Sequence, residues 1–416
     1  MRSLLYSTAL VVLGGCSCTN PQLAVVDSGL CECPAPQAAV TPQPPRLPSR
    51  HEPTSDSPHL HAMAVCESKG RLPLDAAQTF FDDGQYEKAL SCAAQAAAHS
   101  PQDVIAQTER ANALAQLNRN DEAVLAYARA LAIDPDSLDA LAGAAHFYVV
   151  LMPSSRELDE LGSTYAERGF DLATSARDET MSVVFARLSA MAFNDLGQPH
   201  ESLERADFVL NREKGDPEAM YERAVALFEL CRFEDAKTAF KKLLDDRERA
   251  AWAHYHLGLL IEREGKDKEA DVHFGQARAL DTESFPPPII LTPDEFKTEL
   301  ARAIDELPVD MKKDLKGIPV DMEDLPQEID LTSGDPPLSP SILGLFRGTP
   351  LNETCEPEPG AKPGDPCRSI VLYRKNLGRA VKSREELNEQ IRVTLLHELG
   401  HLRGEDDSEL AARGLE

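Results

Sequence analysis

The chain has 416 residues, 42% of them apolar, which is long enough for more than one domain and a sizeable buried core. Its 70 acidic residues against 43 basic ones leave a formal charge of −27 and an isoelectric point near 4.8. Nucleic acid is excluded as a partner, since neutralising phosphates needs a basic face, and the acidity reads as a solvated surface.

Residues 1–15 have the composition of an export leader. Arg2 supplies the positive start, and the apolar run at 4–13 is too short to span a bilayer as a permanent helix. The run closes in Leu13-Gly14-Gly15-Cys16, which resembles a bacterial lipobox. That resemblance implies cleavage before Cys16 and acylation of its thiol, so the membrane is reached through a lipid anchor rather than a span. The competing reading is an ordinary cleaved leader with a coincidental cysteine. Ser17 rather than Asp follows the cysteine, which by the Gram-negative sorting rule gives the outer membrane of the cell envelope as the expected location. Residues 16–58 are dense in proline without apolar periodicity and read as a disordered tether.

Besides Cys16, eight cysteines remain, an even number that permits full pairing in an oxidising compartment. Cys355 with Cys367 is the first expected disulfide, because it closes one Pro/Gly-rich loop, and Cys66 with Cys92 is the second. Cys31 and Cys33 form a lone pair too weak to argue for a metal. None of the cysteines has the neighbours of a catalytic thiol.

Residues 59–285 are helical and repetitive. Pro101 and Pro135 stand 34 residues apart, each after a segment with small residues where helices would cross, Ala89, Ala93 and Ala96, then Ala123, Tyr127 and Ala130. Tyr255, His256, Leu257 and Gly258, with Ala270, Phe274 and Ala277, fall in the same frame. The pattern resembles the tetratricopeptide repeat, a helix-turn-helix unit of that period, in five or six copies. An insertion is expected at 153–162. Such repeats bury their apolar faces on one another and leave a concave surface, so a protein or peptide partner is expected there. The competing reading is a spacer that only positions the C-terminal domain. His146 and His254 read as packing or surface rather than ligands.

Residues 286–416 change character. Thr292-Pro293-Asp294-Glu295 opens a helix expected to run to Leu307, 316–323 and 369–374 read as short strands, and Ser383 to Glu386 has the form of a capping box. The helix that starts there carries Leu387, Ile391 and Leu395 on its buried side and delivers His397, Glu398 and His401, an H-E-x-x-H pattern. At ~100° per residue, both imidazoles can reach one metal ion, and Glu398 lies on the adjoining face. A Zn²⁺ with three protein ligands and an open position lowers the pKa of its water to about 7, so Glu398 can serve as general base. Gly404 comes where the helix must stop and the chain turn back. Glu405, Asp406, Asp407 and Glu409 all lie within reach as a third ligand. The competing reading is a charged helix end with two incidental histidines.

Several landmarks together resemble the small bacterial zincin-like metallopeptidases, or minimal zincins: residues 296–308 and 320–326, Leu343-Gly344-Leu345-Phe346-Arg347-Gly348, Ile370-Val371-Leu372-Tyr373-Arg374, and HELGHLRGEDD from His397. The resemblance covers under a third of the chain. It implies a compact α+β domain, with zinc held by His397, His401 and Asp407 and with Glu398 as the base. Asp407 ranks first among the acids because it has the third-ligand spacing of zincins with this glycine turn. The Met-turn subclass is not expected, since none of the nine residues after Asp407 is Met. A departure from the family is the loop at 355–367, which could act as a lid. Tyr373 reads as a packed strand residue before it reads as an oxyanion donor. The expected fold class is mainly α, an α-solenoid of tetratricopeptide-like repeats followed by a small α+β zincin-like domain. The expected function is zinc-dependent hydrolysis of peptide bonds. Two rivals are an envelope scaffold with an inert zincin domain and a hydrolase of some non-peptide envelope amide.

Overall fold

A computed structural model describes residues 66, 70–355 and 366–415. The expected leader, the lipidation site at Cys16, the tether at 16–58 and Cys18, Cys31 and Cys33 lie outside the described residues.

Six consecutive helix pairs form the solenoid. They are α1 (Pro73–Asp82) with α2 (Tyr86–His99), α3 (Val104–Gln116) with α4 (Asn120–Ile133), and α5 (Leu138–His146) with α6 (Arg156–Ala176). Next come α7 (Glu179–Asp195) with α8 (Pro199–Arg212), α9 (Pro217–Glu229) with α10 (Phe233–Lys241), and α11 (Ala250–Arg263) with α12 (Asp267–Leu280). Side-chain oxygens of Asp103, Ser137, Ser155, Asp178 and Asp216 cap helix starts, taking backbone N–H groups that would otherwise lack partners. The turns within five of the six pairs pass through one left-handed residue, Gly84, Asn118, Gly197, Cys231 or Gly265. The small residues of the sequence frame sit where helices cross: Ala93, Ala123, Ala130 and Ala277 are completely buried. Tyr127 is buried as well and donates its hydroxyl to Asn112 Oδ1 at 2.7 Å.

The third pair shows how the extra length expected around 153–162 is taken up. Helix α5 runs on through a π-helical turn at Phe147–Leu151, and Ser155 caps an α6 of 21 residues that includes 156–162. The chain crosses between the two in only four residues, 152–155.

Along this stretch the π-helical turn, the start of α6 and helices α7, α9 and α11 line a groove of about 620 Å³, with Glu222 of α9 on its wall. Burial pushes the Glu222 carboxyl up to about 7, against an opposing hydrogen bond from Asn194. A carboxyl raised on folding costs nothing while it stays protonated in both states. The penalty grows as pH climbs through the ordinary carboxyl range to about 7 and is complete above that. Glu222→Gln is therefore expected to stabilise the chain by up to about 3 kcal/mol at pH 8 and by nothing at pH 4, read from urea unfolding at both pH values.

Beyond the solenoid, α13 (Pro293–Glu306) starts at a capping box made by Thr292 and Glu295, and α14 (Val309–Asp314) comes after it. Three strands, β1 (Val320–Glu323), β2 (Gly344–Arg347) and β3 (Ser369–Tyr373), make one sheet in the order β1-β3-β2. β1 runs parallel to β3 with Val320 opposite Ile370, and β2 runs antiparallel with Gly344 opposite Leu372. The first strand starts later than the sequence suggests, because 315–317 form the turn that ends α14. Between β1 and β2 lies the short α15 (Glu328–Leu331), and after β3 come α16 (Arg374–Ala380), α17 (Arg384–Arg403) and α18 (Asp407–Ala411). Ser383 Oγ caps α17 by accepting the Glu386 N–H, but the return bond of a capping box comes from Lys382 N–H to the Glu386 carboxylate. One core joins Phe296 and Leu300 of α13, Ile370 and Leu372 of β3, and Leu387, Ile391, Leu395, Leu399 and Leu402 of α17. The architecture is mainly α, a repeat solenoid followed by a small α+β unit. No helix among the described residues is long and apolar enough to cross a membrane.

Candidate metal centre

The buried stripe of α17 fixes the helix against the sheet, and the same helix carries His397, Glu398 and His401 on its last two turns. Gly404 ends it in the left-handed conformation, φ +93°, and Glu405 N–H returns to Gly400 O at 3.0 Å. That turn starts α18. Asp406 caps the new helix by accepting Glu409 N–H at 2.9 Å, and the Glu409 carboxylate takes the Asp406 N–H at 3.1 Å. Glu405 is paired with Arg413. Of the four acids within reach in sequence, three are thus committed elsewhere. Asp407, in the first turn of α18, places Oδ1 3.2 Å from His401 Nε2 and 3.6 Å from His397 Nε2. One ligand atom from each of these three residues lies within 4.8 Å of the others, and no other trio of metal-ligating side chains does so among the described residues.

The imidazole tautomers are set by the partners. His397 Nδ1 lies 2.5 Å from Leu415 O, and His401 Nδ1 lies 3.0 Å from Glu405 O. A carbonyl can only accept, so each Nδ1 carries a proton, and Nε2 is the nitrogen left to offer a lone pair to a metal. The two Nε2 atoms are 3.0 Å apart, with the Asp407 carboxylate beside them. Three lone-pair donors facing one another repel unless a cation stands between them. Two nitrogens bound to one tetrahedral zinc lie ~3.3 Å apart, close to the spacing seen. The donor set therefore fits a divalent metal of the zinc type.

Glu398 is 5% exposed and lies in the same cavity of about 510 Å³, which β2 walls with Gly344, Leu345 and Phe346. Burial pushes its carboxyl up to about 8, the negative Asp407 adds to the shift, and the Phe346 N–H opposes it. A larger cavity of about 1070 Å³ lies between the last repeats and the β1–α15 segment and contains none of these groups.

The remaining expectations concern the cysteines, Tyr373 and the solenoid histidines. Cys355–Cys367 and Cys66–Cys92 are bonded, while Cys231 carries a free thiol. The loop between Cys355 and Cys367 lies mostly outside the described residues, and with it the expected lid. Tyr373 is fully buried in the strand, close to Arg347 and Asp330, and does not line the cavity, in keeping with a packing residue. His254 faces His273 across α11 and α12, Nδ1 to Nδ1 at 2.9 Å. Sequence reasoning does not reach the carbonyls of Leu415 and Glu405, since a backbone oxygen carries no residue-type signal.

Comparison with known proteins agrees with the two-part organisation. Residues 315–415 match the family model of the zincin-like metallopeptidases, and residues 74–137 match a tetratricopeptide repeat model. No curated protein sequence matches the chain. Among solved structures, YrrB, described as a TPR protein with an unusual peptide-binding site, is 19% identical, with a TM-score of 0.37 over 46% of this chain and 93% of its own. The type IV pilus biogenesis factor PilW is 20% identical, with a TM-score of 0.43 over 50% and 91%. PilF of Pseudomonas aeruginosa is 13% identical, with a TM-score of 0.42 over 51% and 91%. The chain joins a zincin-like domain to a tetratricopeptide repeat region.

Proposed function

We propose that the protein is a zinc-dependent peptidase in which His397, His401 and Asp407 hold the metal and Glu398 is the general base. The observation that carries this reading is the pair of Nε2 lone pairs 3.0 Å apart, fixed by carbonyls behind them and beside a carboxylate. Zinc bound there would polarise a scissile carbonyl and make a water nucleophilic near neutral pH. The chain's own groups supply the rest. Glu398 accepts a proton from the attacking water as the new C–O bond forms, then delivers it to the amine nitrogen as the C–N bond breaks. Its burial serves this role, because a carboxylate poorly solvated by water binds a proton more strongly. The Leu415 and Glu405 carbonyls hold the histidine rings in the ligating tautomer.

The solenoid would hold a protein or peptide, and acylated Cys16 would tether the chain to the outer membrane of the bacterial envelope. Metal analysis of the purified chain tests the first part. About one zinc per chain is expected, together with cleavage of peptides that a chelator stops and added zinc restores. Isolated wall fragments assayed in parallel separate peptide from other envelope amides. A chain that holds no zinc after reconstitution would remove this function.

Two variants probe the site and the anchor separately. In Gly344→Ala the new Cβ would stand 2.7 Å from Thr394 Cγ2 and 2.8 Å from Glu398 Oε1, so β2 or the base must move. Turnover is expected to fall about tenfold or more with zinc retained, since a misplaced base loses most of its contribution. Zinc content and kcat measured on one preparation check this. In Cys16→Ala the chain is expected to lose its acyl mass by mass spectrometry and to be missing from washed outer membranes. Persistence of the variant in washed outer membranes would show that something other than a lipid anchors the chain.

A further inference from the structure

The groove inside the solenoid has a chemistry of its own. It is bounded by Val150 of the π-helical turn, Ser154 and Asp159 beyond it, Asn194 of α7, Tyr221 and Glu222 of α9, and Trp252 of α11. Glu222 is 7% exposed, and among the described residues its only hydrogen-bond donor is the Asn194 amide, which reaches Oε2 at 2.8 Å. The same amide donates to Glu222 O at 2.9 Å, which fixes which end of Asn194 is nitrogen. Asn194 Oδ1 is consequently turned the other way, buried and without a hydrogen-bond partner. Asn194 Oδ1 is thus a buried acceptor lacking a donor, costly unless one arrives, and beside it Glu222 Oε1 takes no hydrogen bond from the described residues.

No cation lining the groove is hydrogen-bonded to Glu222: Arg249 lies 5.5 Å over the Tyr221 ring and acts on Glu222 through its charge alone, its hydrogen bond going to Glu218 at 3.0 Å, and Arg156 is paired with Glu160 at 3.0 Å. Asp195 adds negative charge next to Asn194 and contributes to holding the Glu222 carboxyl above its ordinary range. Between the charged groups the groove has apolar and aromatic wall, Val150, Met191, Leu196 and Val225 with the Tyr221 and Trp252 rings 6.4 Å apart edge to face. A long aliphatic stem with a cationic tip suits such walls, stem against the rings and tip on the carboxylate.

We propose that this groove recognises a lysine or arginine side chain of a bound peptide, through Glu222 and Asn194. The inference rests on the reading of the repeats as a peptide-binding surface and adds the side chain that surface selects. The chain's net charge of −27 would also draw basic segments toward it.

The test uses the full chain in detergent, in its Glu398→Gln form so that bound peptides are not cut, with an immobilised library of acetylated, amidated octapeptides. Blocking both peptide ends removes the terminal amine as a competing cation. The retained pool is expected to be enriched in lysine or arginine at one position. A peptide made from it should bind roughly tenfold or more weakly once Glu222→Gln is added, and equally so when its basic residue is replaced by norleucine. The change on the peptide side keeps the result independent of how the variant folds. Retained peptides without a basic preference, or held equally by Glu222→Gln, would overturn the inference and leave the repeats as a peptide-binding surface. No peptide retained by either form would overturn both.

Discussion

Glu398→Gln is expected to bind a full complement of zinc and to lose cleavage by about a thousandfold or more, within the range that positioned acid–base groups contribute. The two side chains have the same shape, and the amide oxygen can still accept the Phe346 N–H that reaches Glu398. Nothing in the ligand trio changes, because Glu398 is not one of the three groups whose donor atoms converge. The amide lacks only the ability to take a proton. His397→Ala makes the contrast, since it removes one of three ligands and should lose zinc and turnover together. Zinc per chain and kcat, measured on the same preparations, separate the two roles. A Glu398→Gln chain that turns over within tenfold of the parent would falsify the assignment of Glu398 as base.

Much of this site is legible in the sequence. Two histidines four apart on a helix must share a face, and Gly404 marks where that helix ends, so α17 and its ligands come from spacing alone. The buried stripe of Leu387, Ile391 and Leu395 is readable for the same reason. The third ligand is ranked in the sequence only by a family resemblance. Its physical selection depends on side-chain commitments invisible in a string of acids, with Asp406 and Glu409 spent on a cap and Glu405 on Arg413. The four-residue β2 stands out as a landmark but not as a strand, since Gly-Leu-Phe-Arg carries too little alternation to declare itself. The π-helical turn is missed for a related reason: extra length shows in the sequence as an insertion at 153–162, but not that two helices take it up. Long-range pairs such as Glu262 with Arg379, 117 residues apart, have no local signature at all.

That pair sets the second large effect. Glu262, on α11 of the last repeat, is buried and holds Arg379 at 2.6 Å and Lys375 at 3.0 Å, both from α16. Lys375 has a second partner in Asp267 at 2.9 Å, but that aspartate is well exposed and replaces little of the attraction Glu262 gives. Arg379 lies over the Phe274 ring at 5.0 Å, and its Nη1 is buried without a hydrogen bond, so it depends on Glu262 for its charge partner. On its other side α16 places Leu377 in the core that α17 shares. The contact therefore ties the last repeat to the element beside the metal-bearing helix. Glu262→Ala strands a buried guanidinium and is expected to cost about 3–5 kcal/mol, whereas Glu262→Leu with Arg379→Met removes both charges and should recover most of that loss. Calorimetry should show one transition in the parent and two in Glu262→Ala, as the solenoid and the C-terminal unit melt apart. If the single variant loses less than about 1 kcal/mol, the size of an exposed pair, water reaches Glu262 in solution and the two units are free to move against each other.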